Sequence, residues 1–300
     1  EYVIPVPSYK MPETKNSAGY YARGDMDLID LFIGAEGTLA CILDATLKLN
    51  NKPEDILSCF AFFKSEENAC NFAIEAKNTI DALSIEYFDS NSLDLLRHKY
   101  GNIPAGTASC IFFEQEISKD AEDKITEIWE KLLFKYGVPL GNTWVAMNQK
   151  ERQDLFDKRH SIGEAMNEMT KLNNFPKVST DLAVPHKNFM DMMNYYKEIL
   201  KDIEIQYFLF GHIGDSHLHL TLFPKTEKEF IDAKRTAMAF IKKSVSLGGT
   251  VSAEHGIGKL RKEYLKILYG ENGMREMFRI KKILDPNLIL GKANIFNCKL

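Results

Sequence analysis

The chain is organised around the run Ile205-Gln206-Tyr207-Phe208-Leu209-Phe210-Gly211-His212-Ile213-Gly214-Asp215-Ser216-His217-Leu218-His219-Leu220-Thr221-Leu222-Phe223. Two apolar segments, rich in aromatic and branched residues, flank a short polar turn, which predicts two strands. Alternate residues of a strand share a face, so His217 and His219 are expected to point the same way. The turn can bring His212 back beside them, and together they could bind a divalent metal. The alternative is a set of unrelated surface and core histidines.

Composition narrows the class of protein. The chain has 300 residues, of which 45% are hydrophobic and 27% charged, as in globular proteins with one large domain or two ordinary ones. A net charge of -4 gives no basic surface, which argues against nucleic-acid binding. No apolar run approaches the roughly 20 residues that span a bilayer.

The first residues of the chain and its cysteines indicate how the chain begins and in which compartment it resides. The chain opens at Glu1 without a methionine and without a signal or transit peptide, so we expect it to begin inside a larger protein. Its cysteines are odd in number and form no C-x-x-C pair, which is typical of buried, reduced thiols in a cytoplasmic protein. They are Cys41, Cys59, Cys70, Cys110 and Cys298.

Strand and helix patterns alternate after a polar hinge at residues 51–55. The order β-α-β occurs twice, which fits an α+β fold of two ferredoxin-like halves fused into one wide antiparallel sheet, with helices on one face. Before the hinge, a further strand is expected over residues 41–49. It follows Gly34-Ala35-Glu36-Gly37, where glycines let a backbone approach a ligand and offer N–H groups to its oxygens. The alternative for this segment is an ordinary tight turn.

A second dense motif is Val251-Ser252-Ala253-Glu254-His255-Gly256-Ile257-Gly258. Small residues on both sides of Glu254 and His255 would keep a site open. A carboxylate joined to two imidazoles makes a mixed donor set that suits zinc, manganese or iron. The alternative is a surface turn with an incidental Glu-His pair.

Four segments, in order, resemble the C-terminal part of the FAD-linked 2-hydroxyacid oxidase family, which includes D-lactate dehydrogenases, the glycolate oxidase flavoprotein subunit and D-2-hydroxyglutarate dehydrogenase. They are Gly34–Leu39, Gly211–Leu220, Glu254–Gly258 and Leu284-Asp285-Pro286 with Ile289-Leu290. Together they extend over nearly the whole chain. One departure is Ser216-His217, where the family usually has Gly-Asn.

The resemblance implies a role for particular residues. It implies His212, His219 and Glu254 as metal ligands. It also implies His255 as the catalytic base, with Arg159 and Lys177 as basic contacts of the substrate. The residues that it places near the flavin are Lys15, Asn16, Gly34, Glu36, Gly37, Thr38 and Ile42.

The resemblance also implies a domain division. Residues 1–50 would be the remnant of a vanillyl-alcohol-oxidase-type FAD-binding domain, 51–284 the substrate or cap domain, and 285–300 a tail returning to the flavin side. The family's glycine-rich pyrophosphate loop would lie upstream of Glu1. We therefore expect the 300-residue chain to bind FAD poorly and to be inactive alone.

The implied function is the metal-assisted, FAD-dependent oxidation of a D-2-hydroxy acid to the 2-oxo acid. An iron–sulfur or electron-transfer flavoprotein partner and a homodimer are compatible with it. Three alternatives stay open on the sequence. They are a flavoenzyme similar to alkyl-dihydroxyacetone-phosphate synthase, a zinc hydrolase, and a non-catalytic domain that dimerises or passes electrons to a partner.

Overall fold

A computed structural model describes residues 3–296 of the chain. Its strands are β1 (Asp55–Phe63), β2 (Ser84–Asp89), β3 (Ser109–Ile117), β4 (Thr143–Val145), β5 (Val178–Ser179), β6 (Leu182–Ala183), β7 (Gln206–Gly211) and β8 (His217–Phe223). Its helices are α1 (Glu66–Thr79), α2 (Ser90–Tyr100), α3 (Glu122–Lys135), α4 (Gln149–Leu172), α5 (Phe189–Leu200), α6 (Glu227–Ser246) and α7 (Lys262–Leu284). In this part of the chain, none of the helices combines the length and the apolar character needed to cross a membrane.

The chain divides into two compact units. The first comprises Glu1–Leu49, Thr180–Glu198 and Ala237–Leu300, and the second comprises Asn50–Ser179 and Ile199–Thr236. The three-part division expected from the sequence, with its flavin-domain remnant, stays a prediction.

The second unit is built around one antiparallel sheet. Seven strands follow the order β4-β1-β3-β2-β7-β8-β5, and each neighbouring pair is antiparallel. β7 and β8 are adjacent, with Leu209 opposite Leu220, as expected for a strand–turn–strand segment. The expected α+β class with a wide antiparallel sheet is confirmed.

Helices cover this sheet on both faces, so the expectation of helices on one face is wrong. Phe60 and Phe112 pack with buried residues of α2 and α4 in one core. On the other face, the Phe113 ring stacks on Trp129 of α3, with 3.9 Å between ring centroids. The reason is visible in β1, where every residue from Cys59 to Phe63 is buried. A strand buried on both faces is apolar at odd and even positions alike.

In the first unit, a buried ion pair explains the Leu284-Asp285-Pro286 motif. Lys281 is 5% exposed and contacts the Asp285 carboxylate. Its ammonium group also donates to the carbonyl oxygens of Thr38 at 2.6 Å and Leu290 at 2.8 Å. A buried charge needs such partners, so this motif ties the 34–38 loop to the end of α7.

The strand expected over residues 41–49 is not formed. Every residue of this segment is exposed, and none has regular secondary structure. A strand needs neighbouring backbone to pair with, and an exposed segment has none. The exposed Cys41 contradicts the expectation of buried thiols, whereas Cys59, Cys70 and Cys110 are buried, as expected. Cys298 lies outside the described residues.

Asp89, at the junction of β2 and α2, gives a prediction about stability. Its side chain caps α2 by accepting from the Ser92 N–H at 2.8 Å, and burial raises its pKa to about 7 from 3.8. The folded protein therefore retains a proton that the unfolded chain releases, and stability falls as pH rises from 3.8 to 7. Asp89→Asn keeps the cap and removes the titration. Relative to this variant, the wild type should lose roughly 2–3 kcal/mol between pH 5 and pH 8.

Urea unfolding of both proteins at the two pH values measures this difference. The exposed Asp94→Asn variant is the control and should follow the wild type. A constant difference between wild type and Asp89→Asn at both pH values would contradict the prediction.

Candidate metal and active site

The turn between β7 and β8 requires a glycine at position 211. Gly211 has a φ of 139°, and a Cβ there would lie 3.0 Å from the His217 carbonyl oxygen and 3.1 Å from the His219 ring. The turn closes through the His217 N–H, which donates to the His212 carbonyl oxygen at 3.2 Å. Glycine at position 211 thus lets the histidine-bearing segments approach each other closely.

Three imidazole rings meet at this turn, in the second unit. The centroid distances are 4.4 Å for His217–His219, 5.2 Å for His212–His217 and 5.5 Å for His212–His219. Each residue offers a ring nitrogen within 4.8 Å of the other two. His217 is 0% and His219 8% exposed. The close approach of His212 to the other two, expected from the turn, is therefore observed.

Glu86 of β2 binds one of these rings. One of its oxygens lies 2.8 Å from His212 Nδ1, and its other oxygen accepts from the Arg159 guanidinium at 2.6 Å. Burial alone would raise the pKa of Glu86, but the hydrogen bonds from His212 and Arg159, together with the positive charge of Arg159, outweigh burial and hold the pKa below its ordinary value. An ionised carboxylate on Nδ1 orients the ring so that Nε2 can serve as a ligand.

A cavity of about 170 Å³ adjoins this group. Its lining combines the polar side chains of the cluster with apolar groups of β2, α4 and β7. The lining residues are Glu86, Phe88, Arg159, His160, Ile162, Gly163, Phe210, Gly211, His212 and His219. Arg159, expected to bind a substrate carboxylate, therefore lies at the wall of a cavity that also exposes two of the histidines. Lys177, the second basic residue expected, directly precedes β5 and is partly buried.

In the first unit, a buried carboxylate shapes the segment that carries Glu254 and His255. Asp181, which is 0% exposed, accepts from Ser252 Oγ at 2.7 Å and from the N–H groups of Glu254 at 3.0 Å and His255 at 2.8 Å. The His255 Nδ1 atom lies 3.9 Å from the same oxygen. The His255 side chain is 53% exposed, so the imidazole is accessible while its backbone is held.

Residues expected near the flavin support this same segment. Glu36 accepts from the N–H groups of Ile257 at 2.6 Å and Gly258 at 2.7 Å. Lys15 pairs with Glu254 at 2.5 Å, and Asn16 accepts from Thr250 Oγ1 at 2.5 Å. The side chains of Lys15 and Glu36 thus contact the Glu254–Gly258 segment itself, and Asn16 contacts Thr250, four residues before it.

The other residues expected near the flavin are Gly34, Gly37, Thr38 and Ile42. Gly34 and Gly37 have φ values of 75° and 67°, and the space beside the Gly37 Cα is open. Thr38 is buried and donates to the Ala35 carbonyl oxygen at 2.6 Å, whereas Ile42 is 70% exposed. An open glycine backbone of this kind fits a loop that contacts FAD.

The donor set in the second unit fits a divalent metal. Imidazole nitrogens suit zinc, iron and copper, and the Glu86 carboxylate behind His212 supplies the outer hydrogen bond that metal-binding histidines usually have. The metal role of His212, His219 and Glu254 is a proposal, since it derives from the resemblance.

Two residues were missed from the sequence. Glu86 stands between the buried Ile85 and Tyr87 of β2, and Asp181 precedes the buried Leu182. An acidic residue between apolar residues is rarely buried without a partner, and this signal could have identified Glu86. Asp181 follows Ser179 and Thr180, so its sequence context carries no such signal.

Replacing Glu86 with glutamine should weaken metal binding. The amide is neutral and binds the His212 Nδ1–H and the Arg159 guanidinium less strongly, so the His212 ring loses its orientation. The expected loss in zinc affinity is about 10–100-fold, measured by competition with a chromogenic chelator. Glu116→Gln, at an exposed position of β3, should bind zinc as the wild type does. Equal zinc affinity in both variants would show that Glu86 does not contribute to metal binding.

Comparison with known proteins shows the family to which this chain belongs. The chain belongs to the family described as "FAD linked oxidases, C-terminal domain", which matches residues 52–295. The resemblance noted from the sequence is thus confirmed.

Curated relatives add detail. The chain is 27% identical over 288 residues to glycolate oxidase subunit GlcD of Bacillus subtilis (strain 168), covering 94% of this chain and 58% of that protein. It is 28% identical over 297 residues to D-2-hydroxyglutarate dehydrogenase of Stutzerimonas stutzeri (strain A1501), covering 94% and 60%. It is 25% identical over 291 residues to D-lactate dehydrogenase of Archaeoglobus fulgidus, covering 94% and 59%. The chain therefore spans about three fifths of the length of these relatives.

Solved structures share the fold. An alkyldihydroxyacetonephosphate synthase superposes with a TM-score of 0.57 at 16% identity, covering 95% of this chain and 52% of that chain. The 4-ethylphenol oxidase from Gulosibacter chungangensis, in its isoeugenol complex, gives a TM-score of 0.55 at 15% identity, covering 81% and 54%. At these identities the likeness concerns the fold alone.

Proposed function

We propose that this protein takes part in the FAD-dependent oxidation of a D-2-hydroxy acid to the 2-oxo acid, assisted by a divalent metal. The observation that carries the proposal is the imidazole cluster of His212, His217 and His219, backed by Glu86 and Arg159 at the wall of one cavity. The curated relatives support the substrate class, because their names give glycolate, 2-hydroxyglutarate or lactate as the substrate.

Oxidation of a hydroxy acid removes a proton from the hydroxyl oxygen and a hydride from the adjacent carbon. Bound FAD would supply the hydride acceptor, and a bound divalent metal would supply the positive charge that lowers the pKa of the hydroxyl group. The protein has to bind the carboxylate, orient the carbon and accept the proton.

Arg159 is proposed to bind the carboxylate of the substrate. A guanidinium presents several N–H donors in a planar fork that matches a carboxylate. Glu86 engages one of them at 2.6 Å, which fixes the direction of the fork. Lys177 is proposed as a second basic contact, as the resemblance implies.

His255 is proposed to accept the hydroxyl proton. A neutral imidazole can accept a proton and act as a general base. Its ring is accessible, while Asp181 holds its main chain and that of Glu254. Glu254 is proposed as the acidic ligand of the metal. Flavin contacts are proposed for the 34–38 loop, with Lys15, Asn16 and Ile42.

The test is a panel of D-2-hydroxy acids with an artificial electron acceptor, using the full-length protein. D-lactate, glycolate and D-2-hydroxyglutarate are the first substrates, and L-lactate and L-2-hydroxyglutarate are the matched controls. At least one acid of the first group should reduce the acceptor much faster than the controls. A flavin-loaded protein that oxidises none of them would refute the proposal. A flavin absorbance spectrum of the purified 300-residue chain tests the separate expectation that it binds FAD poorly.

A further inference from the structure

His217 is a buried histidine in a cluster of imidazole rings, which is unusual for a residue that only fills the core. It is 0% exposed, and its ring lies 4.4 Å from that of His219 and 5.2 Å from that of His212, between centroids. Burial of a polar imidazole against two others is unfavourable unless its nitrogens are bound. A buried apolar side chain would fill the same volume without that requirement.

The backbone conformation also directs the His217 side chain toward the other two histidines. Ser216 has a left-handed φ of 53°, and His217 is the first residue of β8, two positions before His219. Residues two apart in a strand share a face, so His217 and His219 present their rings together. The close packing at Gly211 then brings β7 and the His212 ring to the same place.

We propose that His217 is a third imidazole ligand of the metal, together with His212 and His219. This inference rests on the proposed function, which assumes that the cluster holds a metal. Three imidazoles form a nitrogen-rich donor set, and added nitrogen ligands favour zinc, cobalt(II) and iron(II) over manganese and magnesium, which prefer oxygen. His217 would thereby determine which metal the protein selects.

The test measures metal binding without reference to turnover. Wild type, His217→Asn, His217→Gln and His212→Ala of the full-length protein are stripped of metal with a chelator. Each is then titrated with Zn²⁺ and Mn²⁺ against a competing chromogenic chelator, and the visible absorption of its Co²⁺ form is recorded. Asparagine tests the side chain that the family usually carries at this position, and glutamine offers a neutral side chain of greater length.

Both substitutions at position 217 should lower zinc affinity by more than about 100-fold, beyond the effect of losing an outer-shell partner. Manganese affinity should change much less, and the Co²⁺ spectrum should shift because a nitrogen donor is lost. His98→Asn, an exposed histidine on α2, is the matched control and should leave all three measurements unchanged.

The outcomes separate this inference from the proposed function. If His212→Ala loses metal but both His217 variants keep wild-type zinc affinity and Co²⁺ spectrum, the third ligand is refuted and the metal site stands. If all the variants bind zinc as the wild type does, the metal site itself is refuted, and His217 with it.

Discussion

Under the proposed function, His212→Ala is expected to abolish metal binding and to lower kcat/KM for the hydroxy acid by about 1,000-fold. The physical reason is twofold. His212 supplies a ring nitrogen to the cluster, and its partner Glu86 would be left with one fewer contact for its buried charge. A metal that polarises the reacting hydroxyl contributes several kcal/mol of barrier lowering, which corresponds to a loss of this order.

Metal content by elemental analysis and steady-state kinetics measure the two effects. His98→Ala, at an exposed position of the same unit, is the control and should keep both metal and activity. Circular dichroism of each variant confirms that the fold is retained. A His212→Ala protein with full metal content and activity would contradict the ligand assignment.

His255→Gln is expected to lower kcat by about 100- to 10,000-fold, the range over which a general base contributes. Glutamine retains polarity and approximate size but accepts no proton near pH 7. The hydrogen bonds that Asp181 receives from the main chain of Glu254 and His255 do not depend on the side chain. Metal content and KM should therefore change little.

The pH dependence of kcat distinguishes a base from a structural residue. The wild type should lose activity on the acid side as the base is protonated, and the variant should lose that limb of the profile. His98→Gln should keep the wild-type profile. A kcat within tenfold of the wild type, with the acid limb unchanged, would assign the proton transfer to another group.

Local patterns predicted part of the second unit. At the start of α1, for example, the Ser65 hydroxyl accepts from the Asn68 N–H at 3.3 Å, and this kind of cap depends only on residues close in sequence. β7, the turn and β8 also lie where the pattern placed them. These features depend on residues close in sequence, whose periodicity and capping act within one element.

Long-range pairing accounts for the errors and omissions. The strand expected over residues 41–49 has the composition of a strand but lacks a partner among the described residues. Glu86 is 126 positions from His212, and Asp181 is 74 positions from His255. No local pattern reports contacts over such separations, because they exist only once strands and loops are packed.

Side-chain periodicity and glycine positions predicted the alternation of strands and helices after residue 51, the wide antiparallel sheet and the approach of three histidines at one turn, because these patterns act between residues close in sequence. The folded chain alone shows that Glu86 and Arg159 lie behind His212, and that Asp181 and Glu36 hold the Glu254–Gly258 segment. Those choices depend on burial. A carboxylate removed from water needs donors nearby, and the packed chain supplies them from distant segments.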